Sequence, residues 1–238
     1  MAVLASGSGS NLQAIIDQLH RRPAAGPAAG APAGAPPAST GTTAPPPAPV
    51  IEVALVVSDL PGARALERAR AAGIPTVVFP ADRYATREEH DLAMAGAIRD
   101  AQADLVILAG YMRLVAPAFV RAFPWRVINL HPALLPAFPG TTSIGDAVAY
   151  GAKVTGVTVH FVDEGLDTGS VIAQEPVRVE DGDTAESLAV RIHAVEHQLL
   201  PATIRLIAAG RVKPPLPGSR VVQVDLGNDV RRSGDAGP

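Results

Sequence analysis

The sequence contains no cysteine among its 238 residues. This absence excludes disulfide bridges, thiolate metal sites and a cysteine nucleophile. Basic charge is not in excess either, because 20 Lys and Arg stand against 23 Asp and Glu and the formal net charge is -3. Nothing in this balance favours a nucleic-acid partner.

Long apolar runs are also missing, although 47% of the residues are hydrophobic. No stretch approaches the roughly 20 apolar residues that a membrane-spanning helix needs. The first residues, Met1 to Gly7, carry no basic segment, and their apolar run is too short for a signal peptide. We therefore expect a cytoplasmic protein with no membrane partner, long enough to form one substantial core.

Strand-like apolar runs alternate with helical patterns along most of the chain. Strands are predicted at Ala2–Ala5, Val50–Val57, Pro75–Phe79, Asp104–Leu108, Val127–His131, Lys153–Val162 and Ser170–Val177. Helices are predicted at Leu12–Leu19, Ala63–Ala72, Arg87–Asp100 and Thr184–Ala209. This alternation predicts an α/β fold with a mainly parallel, twisted sheet flanked by helices.

Two segments depart from this order. Between Arg21 and Pro49 nearly every residue is Pro, Ala or Gly, a composition that favours neither helix nor sheet and offers little to bury. We predict a disordered insertion at about 21–49; a Pro-rich ligand for a recognition domain is the weaker alternative, since Ala and Gly dilute the prolines. Residues 213–238 are predicted to form a C-terminal tail that frays at its end, so the domain covers 1–212.

A glycine-rich loop, Ser6-Gly7-Ser8-Gly9-Ser10-Asn11, joins the first strand to the first helix. Its glycines allow a sharp turn that brings N–H groups near an anion, and the helix N-terminus adds a partial positive charge. Ser10 and Asn11 can cap the helix or donate to phosphate oxygens. A dinucleotide fingerprint wants Gly in place of Leu12, and a Walker A loop wants a lysine. The loop therefore suits a terminal monophosphate, or is an ordinary capped turn.

The strand Val127–His131 ends in Asn-x-His and is followed by proline. Residues two apart in a strand point to the same face, so Asn129 and His131 should project together. Pro132 interrupts the sheet pairing and leaves both side chains at the carboxyl end of the strand, where open α/β sheets bind ligands. The alternative is an Asn and a His that only close a loop through ordinary hydrogen bonds.

An acidic turn, Val162–Gly169, lies between the last two predicted strands. Asp and Gly favour turns in any case, so a plain turn is the simplest interpretation. A carboxylate of this turn could nevertheless reach His131 and favour its protonated form.

These motifs, taken in order, resemble the formyltransferase family. The resemblance rests on the glycine-rich loop, on Asn129-x-His131-Pro132, on Ala133-Leu134-Leu135-Pro136-Ala137-Phe138-Pro139-Gly140, on Val159-His160-Phe161-Val162-Asp163 and on Leu166-Asp167-x-Gly169. It covers about residues 2–212 apart from the insertion. It implies a Rossmann-like formyltransferase fold. The implied reaction is transfer of the formyl group of 10-formyltetrahydrofolate to the amine of glycinamide ribonucleotide in purine biosynthesis, with no metal.

The resemblance also implies roles for individual residues. Asn129 and His131 match residues that bind and polarise the formyl group, with His131 as the proton donor, and Asp167 matches the acid that assists this histidine. His160 is expected to be structural or to support the site. The remaining positions match a ribonucleotide-binding set (Gly9, Ser10, Asn11, Glu196) and a folate-binding set (Arg87, Met112, Arg113, Leu114, Val115, Asn129).

One position departs from the family pattern. The family often has a histidine two residues after Gly140, where this chain has Thr142, which cannot titrate. A nucleotide- or folate-binding protein without turnover therefore stays open, as does a formyltetrahydrofolate deformylase, although a deformylase normally has a further N-terminal domain. A methionyl-tRNA formyltransferase would need a longer chain with a basic C-terminal module. The expected partners are the two small molecules, and a homodimer is compatible with the resemblance.

Overall fold

The computed structural model describes residues 1–23 and 49–226. Nearly all of the predicted insertion and the end of the predicted tail lie outside these ranges. The described strands are β1 (Ala2–Leu4), β2 (Arg22–Pro23), β3 (Val50–Ile51), β4 (Leu55–Ser58), β5 (Thr76–Val78), β6 (Val106–Leu108), β7 (Val127–His131), β8 (Val154–Phe161), β9 (Val171–Arg178), β10 (Val212–Lys213) and β11 (Gln223–Val224). The described α-helices are α1 (Ser10–Leu19), α2 (Arg64–Ala71), α3 (Arg87–Asp100), α4 (Pro117–Ala122), α5 (Ser143–Tyr150) and α6 (Ala185–Ala208).

Seven of these strands form one sheet in the order β5-β4-β1-β6-β7-β8-β9. The pairs from β5 to β7 are parallel, whereas β8 is antiparallel to both β7 and β9. The prediction of a mainly parallel sheet is therefore confirmed. The chain builds the sheet outward from β1 to β5 and then returns to β6 on the other side of β1. Such a reversal opens a crevice at the carboxyl ends of the central strands.

Helices cover both faces of the sheet, because alternate residues of each strand face opposite sides. Val3 of β1 packs in the cluster that contains Leu12 of α1, together with residues of α2 and α6. Its neighbour Leu4 packs in the other cluster, with Met94 of α3 and Phe119 of α4. The result is a three-layer α/β/α core that fixes the ends of the central strands. None of the described helices is long and apolar enough to cross a membrane.

One predicted strand needs correction, and two helices were missed. The predicted strand Val50–Val57 is two strands, because Ile51 pairs with Arg22 in an antiparallel ribbon while Leu55 pairs with Ala2 in the main sheet. Helices α4 and α5 were not predicted. The first has six residues, too few for a periodic pattern, although its Pro117 at the first helical turn is a typical start signal. The second ends at Gly151, whose left-handed φ of 77° is a typical stop signal.

Candidate active site

A cleft of about 250 Å³ opens at the carboxyl ends of β1, β6 and β7. Its walls come from the glycine-rich loop, the segment after β6, the end of β7, the loop between β8 and β9, and one face of α6. The lining residues include Gly9, Ser10, Asn11, Met112, Arg113, Leu114, Val115, Asn129, His131, His160, Asp167, His193 and Glu196. The structure thus gathers eleven of the twelve predicted site residues around one cavity.

The glycine-rich loop ends at Gly9, which precedes the first residue of α1 and has a left-handed φ of 70°. No side chain caps this helix, so the structure excludes the capping role for Ser10 and Asn11, and donation to a phosphate stays a prediction. Ser10 is already helical, and Asn11 instead donates to Glu196. The N–H groups of the first turn therefore have no side-chain acceptor, which suits them to an anion.

Asn11 and Glu196 meet across the cleft although they are far apart in the chain. The Asn11 amide nitrogen donates to Glu196 Oε2 at 2.9 Å, and His193 Nδ1 donates to the same oxygen at 2.8 Å. The Glu196 side chain is 4% exposed. Asn11 Oδ1 is buried without a hydrogen-bond partner among the described residues. A buried carboxylate and a spare amide oxygen therefore lie beside the α1 N-terminus.

The hydrogen bond that His193 donates to the Glu196 carboxylate raises the pKa of His193 above its ordinary value of 6.5. Because the pKa of the folded protein is the higher one, the pair stabilises the fold fully below about pH 6.5, and this contribution is lost as the pH rises through the raised pKa. We expect Glu196→Gln to lower the His193 pKa in an NMR titration. The pKa of His20, which lies outside this cluster, should not move. An unchanged His193 pKa would contradict the pairing.

His131 closes β7 and is buried, with both ring nitrogens engaged. Its Nε2 lies 2.8 Å from the carbonyl oxygen of Phe138, which can only accept, so Nε2 carries a proton and donates. Its Nδ1 lies 3.5 Å from Asp167 Oδ2, at the outer limit of a hydrogen bond. Nδ1 is therefore the nitrogen that can exchange a proton with a bound molecule.

Asp167 connects three parts of the site. Its Oδ2 accepts a hydrogen bond from the Gly140 amide at 2.8 Å, and its Oδ1 accepts one from the Asn129 amide at 3.4 Å. It lies in the left-handed region with a φ of 53°, a conformation that Asp tolerates better than most residues do. The carboxylate therefore faces Asn129 and His131 together.

His160 fixes the orientation of Asn129, which faces it across the β7–β8 pair. The Nδ1 of His160 lies 2.8 Å from the Phe161 carbonyl oxygen and donates to it. Burial lowers the pKa of His160, which favours the neutral ring with a lone pair on Nε2. That lone pair accepts from the Asn129 amide nitrogen at 3.2 Å. The amide of Asn129 is thus held with its N–H groups directed toward Asp167 and His160, in agreement with the supporting role expected for His160.

The segment from Met112 to Val115 forms another wall of the cleft. Met112 is 64% exposed and Leu114 is 41% exposed, so this wall offers apolar surface to a ligand. Asp91 Oδ2 accepts a hydrogen bond from the Ala116 amide and holds the end of the segment. Arg87 begins α3 and does not line the cleft, so its predicted contact with folate stays a prediction.

Thr142, at the position where the family often has a histidine, does not line the cleft. Thr142 donates to Asp146 at 2.8 Å in an exposed pair, whereas its neighbour Thr141 lines the cavity. The lining residues that were not predicted from the sequence include Tyr111 and His193. His193 could have been found, because it precedes Glu196 by three residues and therefore shares its helical face. Among the described residues, no group of three or more His, Asp and Glu could hold a metal ion.

Comparison with known proteins agrees with this arrangement. The sequence profile of the formyl transferase family matches residues 46–204. The chain is 38% identical over 204 residues to phosphoribosylglycinamide formyltransferase of Bacillus subtilis, covering 86% of this chain and 92% of the relative. It is 40% identical over 208 residues to the enzyme of the same name from Mycobacterium tuberculosis, with 87% and 84% covered.

A solved structure shares the fold. Glycinamide ribonucleotide transformylase 1 from Symbiobacterium toebii superposes with a TM-score of 0.78 at 40% identity, covering 94% of this chain and 92% of that one. The predicted Rossmann-like formyltransferase fold is therefore confirmed.

Proposed function

The chain belongs to the formyl transferase family, and we propose that it transfers the formyl group of 10-formyltetrahydrofolate to the amine of glycinamide ribonucleotide. The observation that carries the proposal is the meeting of Asn129, His131 and Asp167 in the same cleft as an uncapped helix N-terminus. The first group suits acyl chemistry, and the second suits a phosphate. One cleft therefore offers a place for the reacting formyl group and a place for the phosphate of the ribonucleotide.

The two substrates are assigned to opposite walls. The phosphate of the ribonucleotide would accept from the N–H groups that follow Gly9, with Ser10 and Asn11 as side-chain donors. Glu196, which accepts from Asn11 at 2.9 Å, is proposed to face the glycinamide end of that substrate. The folate would lie along Met112–Val115, where exposed apolar side chains meet its ring system. Arg87 is proposed to reach the same ligand from the start of α3.

The chemistry follows from the positions of two donors. The substrate amine attacks the formyl carbon, a C–N bond forms, and the formyl oxygen becomes an oxyanion. The Asn129 N–H that makes only a 3.4 Å contact with Asp167 would turn to this oxygen, and the protonated Nδ1 of His131 can donate to it as well. Such donation is worth about 3–4 kcal/mol for each donor. The bond from the carbon to the folate nitrogen then breaks. His131 supplies a proton to the departing nitrogen, and the attacking amine loses one.

The Asp167 carboxylate faces the His131 ring during these steps. Its carboxylate lies 3.5 Å from Nδ1 and is itself fixed by the Gly140 amide. A negative charge at that distance attracts positive charge that develops on the ring while the ring donates to the oxyanion. The site therefore contains two donors and a carboxylate that faces both of them.

An assay of the purified protein tests the proposal. With both substrates present, we expect formylated glycinamide ribonucleotide and tetrahydrofolate to appear in equal amounts. Without the ribonucleotide, formate release should be slow, since the attacking amine is missing. Rapid formate release in that control would instead indicate a deformylase. Binding of both molecules without any product would indicate a binding protein and contradict the proposal.

Two expectations from the sequence stay predictions. They are the cytoplasmic location and the homodimer, which the structure of one chain does not test. Light scattering of the purified protein would give its mass in solution, against 24.4 kDa for one chain.

A further inference from the structure

The described part of the C-terminal segment contacts the loop between β8 and β9, which forms one wall of the cleft. Strands β10 and β11 pair in an antiparallel ribbon, with Lys213 opposite Gln223, and a turn at Leu216 to Ser219 lies between them. Arg220 follows this turn, and its Nη2 donates to the carbonyl oxygens of Thr168 and Gly169, the latter at 3.4 Å. These two carbonyls directly follow Asp167 in the chain.

The loop that carries Asp167 needs such support from outside. Asp167 is held at a left-handed φ of 53°, which is less favourable than an extended or helical backbone for a residue with a side chain. Inside the loop, Asp163 accepts from the Gly165 amide at 3.1 Å and from the Thr168 hydroxyl at 2.6 Å. These bonds shape the loop but do not attach it to the rest of the protein.

The Asp167 carboxylate itself is bonded to the Gly140 and Asn129 amides, whereas two further attachments hold other parts of the loop. The Phe161 amide donates to the Ser170 carbonyl at 2.9 Å and closes the base of the loop. On its outer side, Arg121 pairs with Glu164 at 2.7 Å, but both side chains are more than half exposed. Exposed pairs of this kind contribute little. Among the described residues, Arg220 is thus the side chain that anchors the backbone next to the carboxylate.

We propose that Arg220 is a positioning residue for formyl transfer, acting by holding the backbone after Asp167 so that the carboxylate faces His131. This inference deepens the proposed function and rests on it. The β10–β11 ribbon holds Arg220 in position. Val212, Val222 and Val224, which lie in or next to this ribbon, pack against the core cluster that contains Val3, and this packing fixes the segment from which Arg220 reaches the loop. A shift of about 1 Å in a catalytic group can cost as much as 100-fold in rate.

The kinetic test compares three variants. We expect Arg220→Ala to lower kcat about 10-fold to 100-fold with a small change in the KM for the ribonucleotide, whose site is on the opposite wall. Arg220→Lys keeps a donor and should retain more activity. Arg205→Ala is the matched control, since Arg205 Nη2 also donates to a backbone carbonyl, that of Gln18 at 3.1 Å. Its kcat should stay at the wild-type value. A wild-type kcat for Arg220→Ala would overturn the proposal.

A second measurement separates positioning from general stability. If Arg220 acts through Asp167, then Arg220→Ala should cost little further activity in an Asp167→Asn background. Full additivity of the two losses would overturn the proposal. Amide hydrogen exchange gives a result that does not need activity, because the Gly140 N–H bonded to Asp167 should exchange faster in Arg220→Ala and not in Arg205→Ala. Equal exchange rates would also overturn it. Absence of formyl transfer by the wild-type protein would instead refute the proposed function.

Discussion

Replacing His131 with Ala is expected to lower kcat by on the order of 10²–10⁴, the range for a positioned proton donor or oxyanion donor. The reason is the geometry of its ring. Nε2 is committed to the Phe138 carbonyl, so Nδ1 is the group left to donate to the reacting oxygen and to the departing nitrogen. Substrate affinity should change less, because the walls that hold the phosphate and the folate stay intact.

Asp167→Asn should lower kcat as well, since it keeps the shape of the side chain but removes the negative charge that lies 3.5 Å from Nδ1. The two residues act as one unit, so the double variant should be little worse than the poorer single variant. Glu164→Gln is the matched control, because Glu164 is in the same loop but its side chain is exposed and pairs outward with Arg121. Its kcat should not change.

The test compares kcat of the wild-type protein, the two single variants and the double variant, with both substrates saturating. Fully additive losses would mean that His131 and Asp167 are not partners. A loss in Glu164→Gln as large as that in Asp167→Asn would mean that the net charge of the loop matters, rather than the one carboxylate 3.5 Å from Nδ1.

Much of the sheet and of its carboxyl end follows from local patterns. The bounds of α3 and β7 agree with those predicted. In α3, the Thr86 side chain caps the first turn by accepting from the Glu89 amide. In β7, the five strand residues begin at the buried Val127 and end before Pro132. The placement of Asn129 and His131 on one face follows from the two-residue period of a strand. These features depend on neighbours within a few residues, which is what a sequence pattern records.

The contacts that complete the site come from distant parts of the chain. Asn11 and Glu196 are 185 residues apart and meet because α1 and α6 pack on the same face of the sheet. No local pattern encodes that meeting, and only the family resemblance suggested Glu196. Arg220 was assigned to a tail, since its surroundings are polar and contain Gly and Pro. Its contact with the Asp167 loop depends on the β10–β11 ribbon, whose strands of two residues are too short to predict.

Replacing Gly9 with Val is expected to raise the KM for the ribonucleotide about 10-fold to 100-fold. This range corresponds to the loss of at least one charge-assisted hydrogen bond to the phosphate. Gly9 has a φ of 70°, and a Cβ there would lie 2.7 Å from the Ala65 Cα. Since backbone atoms of α2 cannot give way easily, the loop must move. The N–H groups of the α1 first turn would then no longer converge on a phosphate.

Gly73→Val separates this effect from the general cost of a left-handed residue. Gly73 has nearly the same φ, 69°, but a Cβ there meets no atom within 4 Å, and the residue is remote from the cleft. Both variants should melt earlier, by an amount that reflects the roughly 1–2 kcal/mol cost of the left-handed conformation for a residue with a side chain. Only Gly9→Val should raise the ribonucleotide KM, while folate affinity, measured by titration, should stay near the wild-type value. If folate binding falls and the ribonucleotide KM stays unchanged, the loop serves the folate, and the two walls of the cleft must be reassigned.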